Sequence, residues 1–302
     1  MNKRKEETQT VQTGENGRVS ITHADRVVFP GTGQTKGDLA NYYMRIAPLM
    51  LEHLARRPVS LVRCPQGRAG KCFFQKHDTG GLGAHVHQVS IREKAGELKP
   101  YLYLDSGAGL LDCVQMGTIE FHAWACHEDT IEQPDRMIFD LDPDEGLDFE
   151  EVRHAAADVR ARLAEKGLAS FPMLTGGKGI HVIVPLQRGH GWDEHGAFAR
   201  DLAESLSQAE PERFVAVMAK AKRKGKIFID WLRNQRGATA VVPYSARARP
   251  GAPVAVPVTW EELPGLSAAS AFSIGDADAL IERAADGGLQ GWGIAEQPLP
   301  GV

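Results

Sequence analysis

Asp140 and Asp142 close an apolar run, Met137-Ile138-Phe139-Asp140-Leu141-Asp142-Pro143. In a strand, alternate side chains share a face, so the two carboxylates point the same way while Leu141 points into a core. Carboxylates a few ångströms apart repel unless something positive lies between them, and a hard divalent cation with oxygen ligands is the simplest candidate. Asp230 repeats the pattern downstream, at the end of Ile227-Phe228-Ile229-Asp230-Trp231. Between them runs Thr175-Gly176-Gly177-Lys178-Gly179-Ile180-His181. The backbone N–H groups of such a glycine-rich turn can form an anion-binding nest, Lys178 adds a mobile positive charge, and His181 can donate to a phosphate oxygen. The G-x-x-x-x-G-K-[ST] spacing of a P-loop is absent. Carboxylates for metal beside a basic loop for phosphates equip a nucleotidyl-transfer site.

Charge distribution supports that chemistry better than total charge does. The net charge of −4 does not mark a nucleic-acid binder. From Arg213 to Arg249, however, ten Lys/Arg face a single acid, Asp230, and from His127 to Glu151 eleven acids face only Arg136. A basic cluster around one lone aspartate differs from a solvated face, where signs mix. No apolar run is long enough to cross a membrane, and the N-terminus lacks the apolar core of a signal peptide, so a cytoplasmic location is expected. Cys64, Cys72, Cys113 and Cys126 form no C-x-x-C pair. A zinc set drawn from Cys113, His122 and Cys126 lacks the usual paired spacing, and buried reduced thiols are expected instead.

The elements that must position these residues read as follows. Residues 1–17 are polar and without periodicity, a disordered tail or linker. Val19 to Pro30 forms a short strand and turn, and Thr35 with Asp38 caps a helix that Pro48 restarts on its way to Arg57. Short strands follow at Val59–Cys64, Cys72–Gln75, His85–Ile91 and Leu98–Leu104, then a helix over Ser106–Met116 and a strand over Ile119–Ala123. Strand Arg136–Leu141 leads to a helix capped by Asp148 and ended by Gly167. Strands Phe171–Leu174 and Ile180–Pro185 flank the glycine loop. A helix from Asp193 to Leu206 precedes strands near Phe214–Met218 and Lys226–Trp231, and short helices fall near Trp260 and at Ala277–Ala285. The fold class is α+β, with residues 18–290 as a single domain and 291–302 as a C-terminal tail. Phe73 and Phe74 are adjacent in a strand and so point to opposite faces; one belongs in the core, while the other, near Lys71 and Lys76, could stack on a base.

Several of these segments, in this order, resemble the archaeo-eukaryotic primase superfamily, and within it most closely the polymerase domain of bacterial ligase D, the non-homologous end-joining enzyme. Phe139-Asp140-Leu141-Asp142-Pro143, Thr175 to His181 and Ile229-Asp230-Trp231 match its three motifs. Asp25 to Pro30, Thr35 to Asp38, Cys72 to His77 and Pro243 to Arg247 match its other segments, so the resemblance covers about residues 20–285. It implies a primase-like core of central, mainly antiparallel or mixed sheets flanked by helices. It also implies a nucleotidyl transferase that uses two divalent cations, Mn²⁺ or Mg²⁺, and prefers ribonucleotides. On it, Asp140, Asp142 and Asp230 are the metal-binding catalytic acids. Thr175, Lys178, His181, Arg247 and His122 bind the nucleotide. Arg26 and Lys36 receive the 5′-phosphate of a broken DNA end, and Phe73 and Phe74 stack on the template. Thr175 stands where Ser is common and Arg26 where Lys is common, which keeps the hydroxyl and the charge.

The implied partners are primer–template DNA ends with a 5′-phosphate on the downstream strand, NTPs or dNTPs, a Ku-like end-binding protein, and ligase and phosphoesterase domains. A bacterial, nucleoid-associated setting follows, with no membrane. Two other readings stand beside this one. A haloacid-dehalogenase-like phosphatase also uses D-x-D at a strand end, but wants Thr or Val where Asp144 lies. A non-catalytic DNA end-binding module needs the basic cluster and Lys36 but not three acids at strand ends.

Overall fold

The computed structural model describes residues 8–13 and 17–301, and the chain divides into two compact units. One is built from Met1–Ala123, Val241–Val254 and Phe272–Glu282; the other from Trp124–Ala240, Ala255–Ala271 and Arg283–Val302.

In the first unit, β1 (Thr8–Thr13) pairs antiparallel with β2 (Gly17–Thr22). The expected tail therefore fails over residues 8–13. Thr-Gln-Thr-Val-Gln-Thr is polar but rich in β-branched residues, which suit a pleated surface. Residues 1–7 and 14–16 of that expectation lie outside the described residues. The hairpin of β3 (Val27–Phe29) and β4 (Gln34–Thr35) leads into α1 (Lys36–Leu54). Thr35 caps α1 with the reciprocal Asp38 bonds that its sequence predicts. Pro48 does not restart this helix but lies inside it. The buried stripe of Tyr42, Tyr43, Ile46 and Met50 runs on either side of the proline, and tertiary packing outweighs one lost hydrogen bond.

The unit's sheet is built on β5 (Val59–Arg63), with β6 (Phe73–Gln75), β7 (His87–Arg92), β8 (Leu98–Tyr103) and, after α2 (Gly107–Gln115), β9 (Thr118–Ala123). Cys64 and Cys72 are bridged by a disulfide, against the expectation of four reduced thiols; Cys113 and Cys126 are buried and unbridged. The register of β5 on β6 explains the bridge. Arg63 faces Phe73, so Cys64 and Cys72 are the next pair out, with Cα atoms 4.3 Å apart.

The second unit holds β10 (Arg136–Pro143), α3 (Phe149–Glu165), β11 (Phe171–Leu174), β12 (Ile180–Pro185), α4 (Trp192–Ala209), β13 (Phe214–Val215) and β14 (Ile227–Asp230). After β15 (Ala240–Val241), which joins β9, the chain adds β16 (Val256–Pro257), giving the sheet order β13-β14-β10-β12-β11-β16. α3 packs on β10 and β12, and α4 on β10 and β13. Asp148 precedes α3, but its side chain makes no capping bond. Trp292 is buried against this unit, its indole N–H donating to Pro172 O and Val258 O, and Gln297 bonds to Ala169 and Pro185. The α+β class read from the sequence is the class observed.

Candidate active site

The central strand of the second sheet sets the geometry. Asp140 on β10 faces His181 on β12 and Asp230 on β14 in register. Directly opposed residues in antiparallel strands put their side chains on one face, so His181, Asp140 and Asp230 form a row. Asp142, two residues on, shares that face at the open end of β10. The neighbours Phe139 and Leu141 are fully buried and anchor the strand from the other face.

This row is electrostatically self-compensated. His181 Nε2 lies 3.4 Å from Asp140 Oδ1, leaving Nδ1 buried without a hydrogen-bond partner. Arg233, in the 3-10 turn after β14, donates from Nε to Asp140 Oδ2 at 3.1 Å and lies 3.2 Å from Asp230 Oδ2. Burial alone would push the Asp140 carboxyl up, but His181 and Arg233 hold it well below the usual carboxylate range. Asp142 and Asp230 shift the other way. Burial raises both, and repulsion from Asp140 adds to it, against Arg223 beside Asp142 and Arg233 beside Asp230. Arg223 reaches to 3.6 Å from Asp142 and lies over the Phe228 ring at 3.7 Å. Neither arginine is a residue the sequence singles out beyond its basic cluster. The signal for Arg233 is its place three residues after Asp230 in a short turn.

The donor set fits a hard divalent cation: three carboxylates from adjacent strands, no sulfur, and a guanidinium already between two of them. Among the described residues no three metal-ligating side chains close on a common point. Arg233 bridges Asp140 and Asp230.

Beside the row, the turn between β11 and β12 is tied by Thr175. Its Oγ1 donates to Gly179 O at 2.8 Å and accepts from Gly177 N–H at 3.3 Å. Gly176, at φ +66°, donates its N–H to Ala269 O. The N–H groups of Gly176 and Gly177 are thus taken, and the expected anion nest does not form from them. Gly179 passes so close to β10 that a Cβ would lie 2.1 Å from Leu141 O, which fixes glycine there. Lys178 remains half exposed, with Glu145 at 3.6 Å.

The first unit holds the other sequence-predicted residues. Lys36 opens α1 and is 6% exposed, its Nζ donating to Thr22 O and Gln115 Oε1. It lines a cavity of about 190 Å³ with Arg26, Arg63 and Thr118, whose buried Oγ1 has no hydrogen-bond partner. Burial, and then the charge of Arg26, lowers the Lys36 ammonium to about 8. No carboxylate is among the residues lining this cavity. Phe73 and Phe74 are both exposed, at 42% and 68%, so the expected core role for one of them is overturned. β6 is only three residues long, and its aromatic pair is left on the surface. Phe73 lies under the Arg63 guanidinium and Phe74 meets the His122 ring edge-on at 5.6 Å.

His122 and Arg247 are brought together by Glu120, a residue sequence reasoning missed. His122 Nε2 lies 2.8 Å from Glu120 Oε2, Arg247 Nε donates to the same oxygen at 3.0 Å, and Ala248 N–H donates to Oε1. Burial opposes ionisation of Glu120, yet His122 and Arg247 bring it down to about 2. The available signal was its i, i+2 spacing from His122 on β9, which gives both residues one face.

The family described as LigD, primase-polymerase domain, matches residues 35–287. The multifunctional non-homologous end joining protein LigD of Pseudomonas aeruginosa is 43% identical over 256 residues, 85% of this chain but 30% of that protein. The bifunctional LigD of Bacillus subtilis is 27% identical over 88% of this chain and 42% of its own length. The chain therefore spans about a third of the length of several curated relatives it matches. The polymerase domain of Mycobacterium tuberculosis ligase D, solved in complex with DNA, superposes with a TM-score of 0.82 at 33% identity, covering 91% of this chain and 97% of that one. Among the described residues no helix is long and apolar enough to cross a membrane.

Proposed function

This chain belongs to the LigD primase-polymerase family, nucleotidyltransferases of the archaeo-eukaryotic primase superfamily, and we propose that it fills in and extends broken DNA ends for non-homologous end joining. The observation that carries this reading is the register of Asp140 between His181 and Asp230, with Asp142 on the same face. In the reaction a primer 3′-hydroxyl attacks the α-phosphorus of an incoming nucleotide and pyrophosphate leaves. Asp140, Asp142 and Asp230 would hold two divalent cations, manganese or magnesium, whose chemistry there is to acidify the hydroxyl and neutralise the leaving phosphates. Lys178 and His181 bind the triphosphate, and Thr175 orders the turn that presents Lys178. Arg247 and His122, set by Glu120, also contact the nucleotide on this reading. Arg26 and Lys36 receive the 5′-phosphate of the downstream strand, and Phe73 and Phe74 stack on template bases. Residues 18–290 act as one polymerase domain on this reading. It works in the bacterial cytoplasm on nucleoid DNA, with a Ku-like protein and ligase and phosphoesterase domains as partners.

The test is extension of a gapped primer–template with NTP and manganese. A pyrophosphate-releasing, template-directed product supports the reading. Release of inorganic phosphate alone indicates a phosphatase, and binding without extension indicates an end-binding module. Ribonucleotides should give the higher kcat/KM, since a site that hydrogen-bonds the 2′-hydroxyl leaves a polar group unpaired with a deoxyribonucleotide. Equal kcat/KM for GTP and dGTP opposite template C removes the ribonucleotide preference and leaves the polymerase standing.

A further inference from the structure

The Cys64–Cys72 bridge closes the loop that walls the Lys36 cavity. Residues 65–71 run between the two cysteines, within the segment that joins the last residue of β5 to the first of β6. Cys64, Pro65 and Gly67 line the cavity beside Lys36 and Arg26. Pro65 O accepts from the Arg26 guanidinium at 2.7 Å, so this loop sets where one of the two cations points. Gly67, at φ +81°, lies against β3 so tightly that a Cβ would be 3.0 Å from Val27 O, and Arg68 N–H donates to Val28 O. The far end of the loop carries Phe73 and Phe74. Their strand is held to β5 by three facing residue pairs and, just beyond them, by the bridge.

We propose that Cys64–Cys72 is a redox-operated clasp on 5′-phosphate recognition, an inference that rests on the reading of the Arg26–Lys36 cavity as the phosphate pocket. Closed, the bridge fixes the loop and the Arg26 guanidinium; open, the loop gains conformations that must be lost again when the phosphate binds. The two sulfurs differ in access. Cys64 is 2% exposed, while Cys72 is only half-buried, so exchange begins and ends at Cys72. In the closing direction, the Cys72 thiolate attacks one sulfur of a small-molecule disulfide and expels its thiolate. Cys64 then attacks the mixed disulfide at Cys72 Sγ and expels the second. Two electrons pass from the cysteines to the small disulfide, and their two protons end on the two thiols released. In a compartment that keeps thiols reduced, a bridge reachable at one sulfur is a signal rather than a fixture. Cys113 and Cys126 are buried and do not compete.

The experiment measures binding of wild-type protein to gapped DNA with and without a 5′-phosphate on the downstream strand. It is run once in glutathione disulfide and once in reduced glutathione, with alkylation and mass spectrometry reporting the bridge. The ratio of the two dissociation constants is the phosphate increment. It should be about fivefold or more larger in the oxidised protein, and Cys72→Ser should show the reduced-state increment in both buffers. A bridge that does not form in glutathione disulfide overturns the proposal. So does an increment that is the same in both buffers with the bridge confirmed, and because wild type carries that comparison, a variant that misfolds does not affect it. No increment in either buffer defeats the pocket reading itself, and the clasp with it.

Discussion

Asp140 and Lys36 are both charged groups drawn into the protein, but they are held in opposite ways. Asp140 lies between His181 and Arg233, and these two neighbours hold it ionised. Lys36 is held by two neutral oxygens and faces another cation, Arg26, which lowers its affinity for its own proton. The first finds its partners within its own unit. The second has no carboxylate among the residues lining its cavity, so an entering anion would offset the cost of burying that cation. Structural compensation and ligand demand thus leave different marks: a carboxylate pushed down by partners, an ammonium pushed down by burial.

The largest effects should come from breaking the balanced site. Asp140→Ala, Asp142→Ala and Asp230→Ala should each abolish nucleotide addition in the extension assay. DNA binding should survive, since phosphate contacts come from Lys and Arg. The three should differ in stability. Asp140→Ala leaves Arg233 and His181 without their carboxylate and should cost about 3–5 kcal/mol in urea unfolding. Asp142→Ala should cost nothing, because burial and repulsion from Asp140 already disfavour that charge. Wild-type incorporation by Asp230→Ala would remove that residue from the site.

Lys36→Ala should erase the 5′-phosphate increment on gapped DNA, a loss of about 1.5–3 kcal/mol for a charge-assisted hydrogen bond. Here the contrast with Asp140 becomes a pH profile. Lys36 is a cation below about 8 and neutral above it. A phosphate monoester takes its second charge near pH 6. The increment should therefore be greatest between about pH 6 and 8 and fall as pH rises past 8, with some upward displacement as the phosphate holds the proton on Lys36. Folding shows the opposite sign: stability falls as pH drops from the ordinary lysine range toward about 8, because the unfolded chain takes up this proton first. An increment unchanged from pH 7 to 9.5 would mean that Arg26 alone reads the phosphate.

What the sequence revealed and what it hid follow this same division. Asp140, Asp142 and Asp230 were legible because strand periodicity puts their carboxylates on one face without knowledge of anything distant. The strands around the glycine loop, Phe171–Leu174 and Ile180–Pro185, were legible to the residue because turn signals bound them. Arg233 was hidden because its principal partner lies 93 residues away across a strand pairing. Glu120 was hidden likewise, since Arg247 is 127 residues off. The Cys64–Cys72 bridge depends on register, which an eight-residue separation alone does not specify. Thr8–Thr13 was missed because β-branched content outweighs polarity there, and Phe73 because alternation predicts a core face only where something covers it.

A smaller effect should separate the two exposed aromatics. Phe74→Ala should weaken binding to a single-stranded template overhang by about 1 kcal/mol, the low end for base stacking, whatever the base. Phe73→Ala should cost less, because its ring already lies under the Arg63 guanidinium. Titration of overhang and blunt DNA distinguishes them, and equal binding by Phe74→Ala and wild type would exclude stacking at that position.

The smallest effect belongs to Thr175→Ser, in the turn beside the Asp140 row. The Thr175 hydroxyl closes the turn by donating to Gly179 O and accepting from Gly177 N–H. Thr175→Ser keeps both bonds and removes one buried methyl, so stability and nucleotide KM should change by no more than about 0.8 kcal/mol. Thr175→Val keeps the shape and removes the hydroxyl. Gly179 O then keeps only the backbone N–H of residue 175 and Gly177 N–H loses its side-chain acceptor, at a cost of about 1–3 kcal/mol. If the turn presents Lys178 to the triphosphate, the loss should appear as a raised KM for NTP, greater for Val than for Ser, with DNA affinity unchanged. The same KM for both variants would show that the loop keeps its shape through Gly176 and the β11–β12 pairing alone. The hydroxyl's place in the motif would then need a direct contact with the nucleotide to explain it.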